Sequence, residues 1–364
     1  MICKHIAIVG AAGIPANYGG FETLAENIVR YHDSHCLTGE ITVYCSSQNY
    51  PVRATKFLSA TLVYIPLSAN GAQSIFYDVI ALFLAILKRA DVILLLGVSG
   101  AIALPLVRFF SSAKIITNID GIEWRRQKWH GLAKSFLRFS EKLAVRFSHV
   151  VISDNAAIAS YVKQVYGITS EVIAYGGDHA VAVKAEFPID IHLPRDYAFS
   201  VCRIEPENNV HIILEAFSVL PRKNLVIVGN WNNSDYGLDL YKKYIGFKNI
   251  LCMDPIYNLG ILKTLRLKSS SYIHGHSAGG TNPSLVEAMH FSKPIYAFDC
   301  VFNRSTTENK AIFFESSETL TQLLRKSTTE DISQVAESML EIGKRKYIWK
   351  IVAHKYFQLF DSKI

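Results

Sequence analysis

Between His274 and Met289 the chain reads HGHSAGGTNPSLVEAM, which places two histidines, a glycine pair, a Thr-Asn-Pro-Ser run and a carboxylate in one short stretch. The apolar run Ser271 to Ile273 before it reads as a strand, and Leu285, Val286 and Met289 after it fall on one helical face. Gly279 and Gly280 let a ligand approach the backbone, and Pro283 suits the first turn of a helix. A helix start with free N–H groups suits an anion, most simply a phosphate, which Thr281 and Asn282 are placed to flank. Glu287 lies one turn into that helix. A carboxylate does not bind a diphosphate, but it accepts hydrogen bonds from ribose hydroxyls. The stretch therefore reads as a nucleotide-sugar site, against the simpler alternative of a capped helix with an exposed Glu.

Further groups could complete such a site. Arg203 ends a strand-like run and is followed by Glu205, Pro206, Glu207, Asn208 and Asn209. It suits a diphosphate, or equally a surface ion pair with Glu205 or Glu207. Asp120 and Glu123 lie close together at another strand end. From Trp124 to Phe147, Arg125, Arg126, Lys128, Lys134, Arg138, Lys142 and Arg146 stand against the single Glu141, with Trp124, Trp129, Phe136, Leu137 and Phe147 among them. A basic amphipathic helix of this kind suits an anionic membrane face. The alternative is a solvated helix whose apolar stripe packs on its own sheet.

These groups need a scaffold. At 364 residues, half of them hydrophobic and only 19% charged, the chain has enough apolar material for two large cores. A net charge of +7 without a dense Lys/Arg block argues against a nucleic-acid arm. Cys3, Cys36, Cys45, Cys202, Cys252 and Cys300 are scattered, as expected of free thiols in a reducing compartment. Ile75–Leu87 and Val92–Val107 are too short to cross a bilayer and read as a buried helix and a core strand with its following segment. The expected location is cytoplasmic, at the membrane face.

His5–Val9 opens the chain as a strand, followed by Gly10 to Gly13, the pair Gly19-Gly20 and a helix. The G-x-G-x-x-G pattern is absent, which makes an NAD enzyme a distant reading. Strands near residues 41, 61, 92, 114, 150 and 171 alternate with helix-length segments, and the alternation restarts near 198, 225, 272 and 294. This predicts doubly wound parallel sheets. The expected division is residues 1–182, residues 183–343 and a basic, aromatic terminal helix, residues 344–364, packing back on the first domain. Every polar cluster falls at the carboxyl end of a strand, where open α/β sheets bind ligands.

GIPANYGGFETLAENIV, DGIEWRRQKW, CRIEPENN and HSAGGTNPSLVEAM together resemble retaining glycosyltransferases of family 4, in particular a bacterial subgroup described as rhamnosyltransferases of capsule and O-antigen synthesis. The resemblance covers nearly the whole chain and implies the GT-B fold, two facing Rossmann-like domains with a cleft between them. It implies transfer, with retention, of L-rhamnose from dTDP-rhamnose to a polyprenyl-diphosphate-linked saccharide. No metal or other cofactor and no nucleic acid is expected. The same fold with a UDP-hexose or UDP-N-acetylhexosamine donor, or a binding protein without turnover, are the alternatives. Arg203 matches the family's strand-end Arg and Glu287 the second Glu of its E-x7-E pair. Asn208 stands where the family has Lys, and Gly279 where it has the first Glu. By resemblance, Gly19, Gly20, Arg203 and the Gly279–Thr281 backbone would approach the donor diphosphate, with Asn208 or Asn209 carrying charge that the missing Lys does not. Glu287 would hold the ribose, and His274, His276 or Thr281 the sugar ring. Asp120 would orient the acceptor hydroxyl, and Tyr18, Glu123, Trp124 and Arg125 would bind the acceptor.

Overall fold

The computed structural model describes the chain except residues 1–3, 17–18, 120, 127–128, 188–191, 327–328 and 364, and the side chains of 329 and 331. The chain divides into two compact units, Met1–Ala174 with Lys350–Ile364, and Tyr175–Trp349.

The first unit is built on β1 (His5–Val9), β2 (Glu40–Ser46), β3 (Lys56–Phe57), β4 (Ala60–Ile65), β5 (Val92–Leu96), β6 (Lys114–Ile119), β7 (Val150–Ser153) and β8 (Glu171–Val172). They form one sheet in the order β3-β4-β2-β1-β5-β6-β7-β8, parallel except for β3 against β4. β5 reads VILLL and is buried along its whole length, the pattern of a strand covered on both faces. Its helices are α1 (Gly20–Ser34), α2 (Gln73–Leu87), α3 (Leu104–Phe110), α4 (Gly131–Phe147) and α5 (Ala156–Tyr166). Strand order runs one way from β1 to β2 and the other way from β5 to β8. Right-handed crossovers therefore place α1 on one face and α2 to α5 on the other.

Two expectations for these helices are corrected. α2 is not a buried helix: Tyr77, Ala81, Leu82 and Ala85 pack inward, while Phe76, Ile80, Phe83 and Leu87 face out. A sheet covers only one stripe of a helix, so a helix apolar all round keeps an apolar outer stripe. On α4 the inward stripe is Leu137, Ser140, Glu141, Ala144 and Val145. Of the aromatic and apolar groups expected to face a membrane, Trp124 and Trp129 are half-buried and hydrogen-bonded, Phe136 and Phe147 are half-buried, and Leu137 is buried.

The second unit contains α6 (His179–Ala182), β9 (Ala198–Val201), α7 (Val210–Ser218), β10 (Leu225–Val228), α8 (Asp235–Tyr244), β11 (Ile250–Met253), α9 (Leu259–Lys268), β12 (Ser271–His274), α10 (Pro283–Met289), β13 (Ile295–Phe298), α11 (Val301–Thr306), β14 (Ile312–Phe314), α12 (Ser317–Lys326) and α13 (Thr329–Lys346). Its parallel sheet runs β11-β10-β9-β12-β13-β14. One core joins Phe217, Trp231, Tyr244, Ile273 and Phe314 under α7, α8 and α12. Strands β11 and β14 escaped the sequence reading because each is short and lacks strict alternation. The terminal segment is not one helix from Lys344: α13 ends at Lys346, and α14 (Trp349–Asp361) begins after a break at Tyr347 and Ile348. Lys350–Asp361 of α14 counts with the first unit, where Lys114 Nζ donates to the Leu359 carbonyl at 2.6 Å and Asn118 Nδ2 to the Tyr356 hydroxyl at 2.6 Å.

Candidate functional site

In each sheet the strand order reverses at one place, between β1 and β5 in the first unit and between β9 and β12 in the second. Loops leaving adjacent strands diverge there, which opens the crevice where such sheets bind ligands.

In the second unit the loops after β9 and β12 are tied together. Asn209 Nδ2 donates to the Gly275 carbonyl at 2.9 Å, and the Ser277 N–H and hydroxyl both donate to the Glu207 carbonyl. A Cβ on Gly275 would lie 2.1 Å from the Asn208 carbonyl oxygen, so only glycine permits this approach. Asn208 Nδ2 donates to the Arg203 carbonyl at 2.7 Å. Both asparagines are buried and hold backbone carbonyls. They shape the loop by holding its carbonyls, each with one of the two amide hydrogens of its side chain. Arg203 pairs with Glu205 at 3.6 Å and stays 39% exposed, the surface ion pair of the simpler reading.

β12 ends in His274, which is buried and stacks on His276 with ring centroids 4.6 Å apart. Burial pushes its imidazole down to about 3, so it is neutral, and its Nε2 has no hydrogen-bond partner. The His276 carbonyl accepts from Asn303 Nδ2 at 2.8 Å. Gly279 has a positive φ of 106° with open space beside its α-carbon, and Gly280 is half-buried. Thr281 is buried, and Asn282 caps α10 by accepting from the Ser284 N–H at 3.0 Å and the Ser284 hydroxyl at 2.7 Å.

Glu287 does not stand free on α10. One carboxylate oxygen accepts from Arg266 Nη2 and the other faces His179 Nε2 at 3.3 Å. Burial raises this carboxyl, but the Arg266 guanidinium and His179 outweigh it and hold it below the usual carboxylate value. The Arg266 side chain is 3% exposed, and its Nε and Nη1 have no partners. Trp349 Nε1 donates to His179 Nδ1 at 2.9 Å. An indole N–H only donates, so Nδ1 accepts and the His179 proton sits on Nε2, aimed at Glu287. The sequence reading missed Arg266, His179 and Trp349. Arg266 lies in an ordinary amphipathic helix, and His179 and Trp349 are distant in sequence, so nothing in their local patterns marked them.

In the first unit the corresponding loop accepts carboxylates from its own helix. The Ala12 N–H donates to Glu22 at 2.7 Å and the Ala16 N–H to Glu26 at 2.6 Å. Burial raises the Glu22 carboxyl, with the Ala12 N–H opposing. Gly19, at φ 130°, caps α1, and a Cβ there would meet Glu22 Oε2 at 1.9 Å. Gly20 opens the helix. Gly19 therefore fits α1 to the turn that the Glu22 carboxylate fills.

Asp120 and Tyr18 lie outside the described residues. Glu123 accepts from Arg126 at 3.3 Å and from Trp129 Nε1 at 2.9 Å. The Trp124 ring lies against Arg125, Lys134 and Arg138 at 5.2, 5.8 and 5.3 Å. Its Nε1 is 3.4 Å from Glu141, which also accepts from the Tyr161 and Tyr166 hydroxyls at 2.6 Å each.

A family model described as a domain of unknown function, DUF1972, matches residues 3–178. Among curated proteins none matches this chain. Among solved structures, the chain is similar to sucrose-phosphate synthase from Thermosynechococcus elongatus (TM-score 0.78, 12% identity, 98% of each chain covered). It is also similar to a glycosyltransferase from Rickettsia africae (0.72, 12%, 99% of this chain and 98% of that one) and to Anabaena HepE in complex with UDP and glucose (0.72, 13%, 99% and 100%). Together with two parallel sheets that each reverse strand order once, these likenesses identify the fold as GT-B, two Rossmann-like α/β units in one chain.

Proposed function

We propose that the chain is a retaining glycosyltransferase whose nucleotide-sugar donor binds the second unit at the β9/β12 switch point. The observation that carries this reading is Glu287, fixed by Arg266 and His179 on the helix that Asn282 caps, after a loop with open space at Gly279. Each of its oxygens keeps acceptor capacity for a ribose hydroxyl, and its geometry is set before the ligand arrives. Arg203 turns from Glu205 to the diphosphate, which costs little because an exposed ion pair is worth at most about 1 kcal/mol. His274 and His276 present an imidazole stack beside the sugar. Asp120 orients the acceptor hydroxyl, with Tyr18, Glu123, Trp124 and Arg125 along the acceptor.

The motifs GIPANYGGFETLAENIV and HSAGGTNPSLVEAM support dTDP-rhamnose as donor and a polyprenyl-diphosphate-linked saccharide as acceptor. HepE, solved with UDP and glucose, keeps a UDP-sugar as second reading. Thermal melting with dTDP, UDP, GDP and ADP, followed by donor hydrolysis, tests both. A shift with dTDP alone and slow release of rhamnose support the proposal. A shift with UDP alone replaces the donor. No shift with any nucleotide removes the site.

A further inference from the structure

We propose that the outward face of α2, α3 and α4 is a docking surface for an anionic lipid bilayer. On α2, Phe76, Ile80, Phe83 and Leu87 recur at helical spacing and stand in water. On α3, Leu106 and Phe109 continue the apolar surface, and Phe109 is 81% exposed. α3 and the turn before it pack against both α2 and α4, so these stripes lie side by side. On α4 the exposed apolar groups are Leu132, at 90%, and Phe139. A contiguous apolar surface of this kind marks an interaction site.

Charge identifies the partner. Arg108, Lys134, Arg138, Lys142 and Arg146 all reach solvent from α3 and α4. The only acidic side chains on the three helices are Asp78 and Glu141, and both are buried. Every charged side chain that these helices offer to water is therefore cationic. Phospholipid tails and anionic headgroups satisfy the apolar and the cationic groups at once. A second copy of the chain, apposed through the same patch, would bring like charges together. Among the described residues no helix is long and apolar enough to cross a membrane, so the surface lies on the bilayer. In purpose this inference rests on the proposed lipid-linked acceptor, which resides in the same membrane.

Vesicle flotation of the full chain tests it, with phosphatidylcholine alone and with added phosphatidylglycerol, at low and high salt. The expected result is binding that requires phosphatidylglycerol and weakens with salt. The variant Phe76→Ser/Leu87→Ser/Phe109→Ser should lower partitioning at least about tenfold. Lys142→Glu/Arg146→Glu should lower it about fivefold or more per charge. An unchanged nucleotide-induced melting shift shows each variant is folded. No binding to phosphatidylglycerol vesicles at low salt, or undiminished binding by both variants, overturns the proposal. So does a concentration-dependent dimer abolished by the Phe76/Leu87/Phe109 variant, which would assign the face to a second copy. Vesicle binding without any nucleotide shift would sink the donor reading and leave this surface standing.

Discussion

The two units share a topology and treat their switch points in opposite ways. In the first, Glu22 and Glu26 reach back from α1 and take the Ala12 and Ala16 N–H groups, so these loop donors are already occupied. In the second, the carboxylate Glu287 is turned onto the chain's own Arg266 and His179, and the strand ends carry Arg203 and the neutral His274. A diphosphate would find those amides taken in the first and a cation, Arg203, in the second. The difference lies in where the carboxylates of the following helix point: onto the loop's own N–H groups in the first unit, onto Arg266 and His179 in the second.

The largest expected effect comes from breaking the buried pair. Arg266→Met should cost roughly 3–5 kcal/mol in a denaturant melt, because it strands Glu287 without its cation. A loss below about 1 kcal/mol would mean the pair does not hold the second site together. Next, Asp78, inside the first unit, is pushed up to about 7 by burial, against donation from the Ser99 hydroxyl and the Gly100 N–H. Its folded value lies above its unfolded one, so its contribution to stability is complete below about pH 4 and is lost as the pH rises toward 7. Asp78→Asn should therefore be more stable than the wild type at pH 8, by on the order of a few kcal/mol, with the gap shrinking as the pH falls and closing only near pH 4.

A more direct test compares the switch points by nucleotide titration. Arg203→Ala should raise the nucleotide Kd about tenfold or more, while Glu22→Ala should cost about 1–3 kcal/mol of stability and leave that Kd unchanged. An altered Kd in the Glu22 variant would return the first loop to the donor. The last test concerns His274. Burial lowers it to about 3, so its contribution is complete above about pH 6.5 and falls as the medium is acidified. His274→Phe should flatten the acid limb of the melting temperature between pH 6.5 and 4.

Much of this was legible along the chain. Alternating strand and helix patterns mark both sheets, and glycines followed by Pro283 mark the turn into α10, because such signals depend on residues within one or two turns. The outer stripe of α2 was hidden, since IFYDVIALFLAIL reads as buried whichever side the sheet covers. The partners that hold Glu287 were also hidden. They are 21 and 108 positions away, and one of them is held by Trp349, 170 positions further on. Sequence alone determined the elements, their order and the residue types at each strand end, because these follow from local periodicity and backbone preference. Only the tertiary structure decided which carboxylates satisfy the chain's own donors and which polar groups remain for a ligand, because hydrogen bonds and burial depend on neighbours that sequence spacing does not specify.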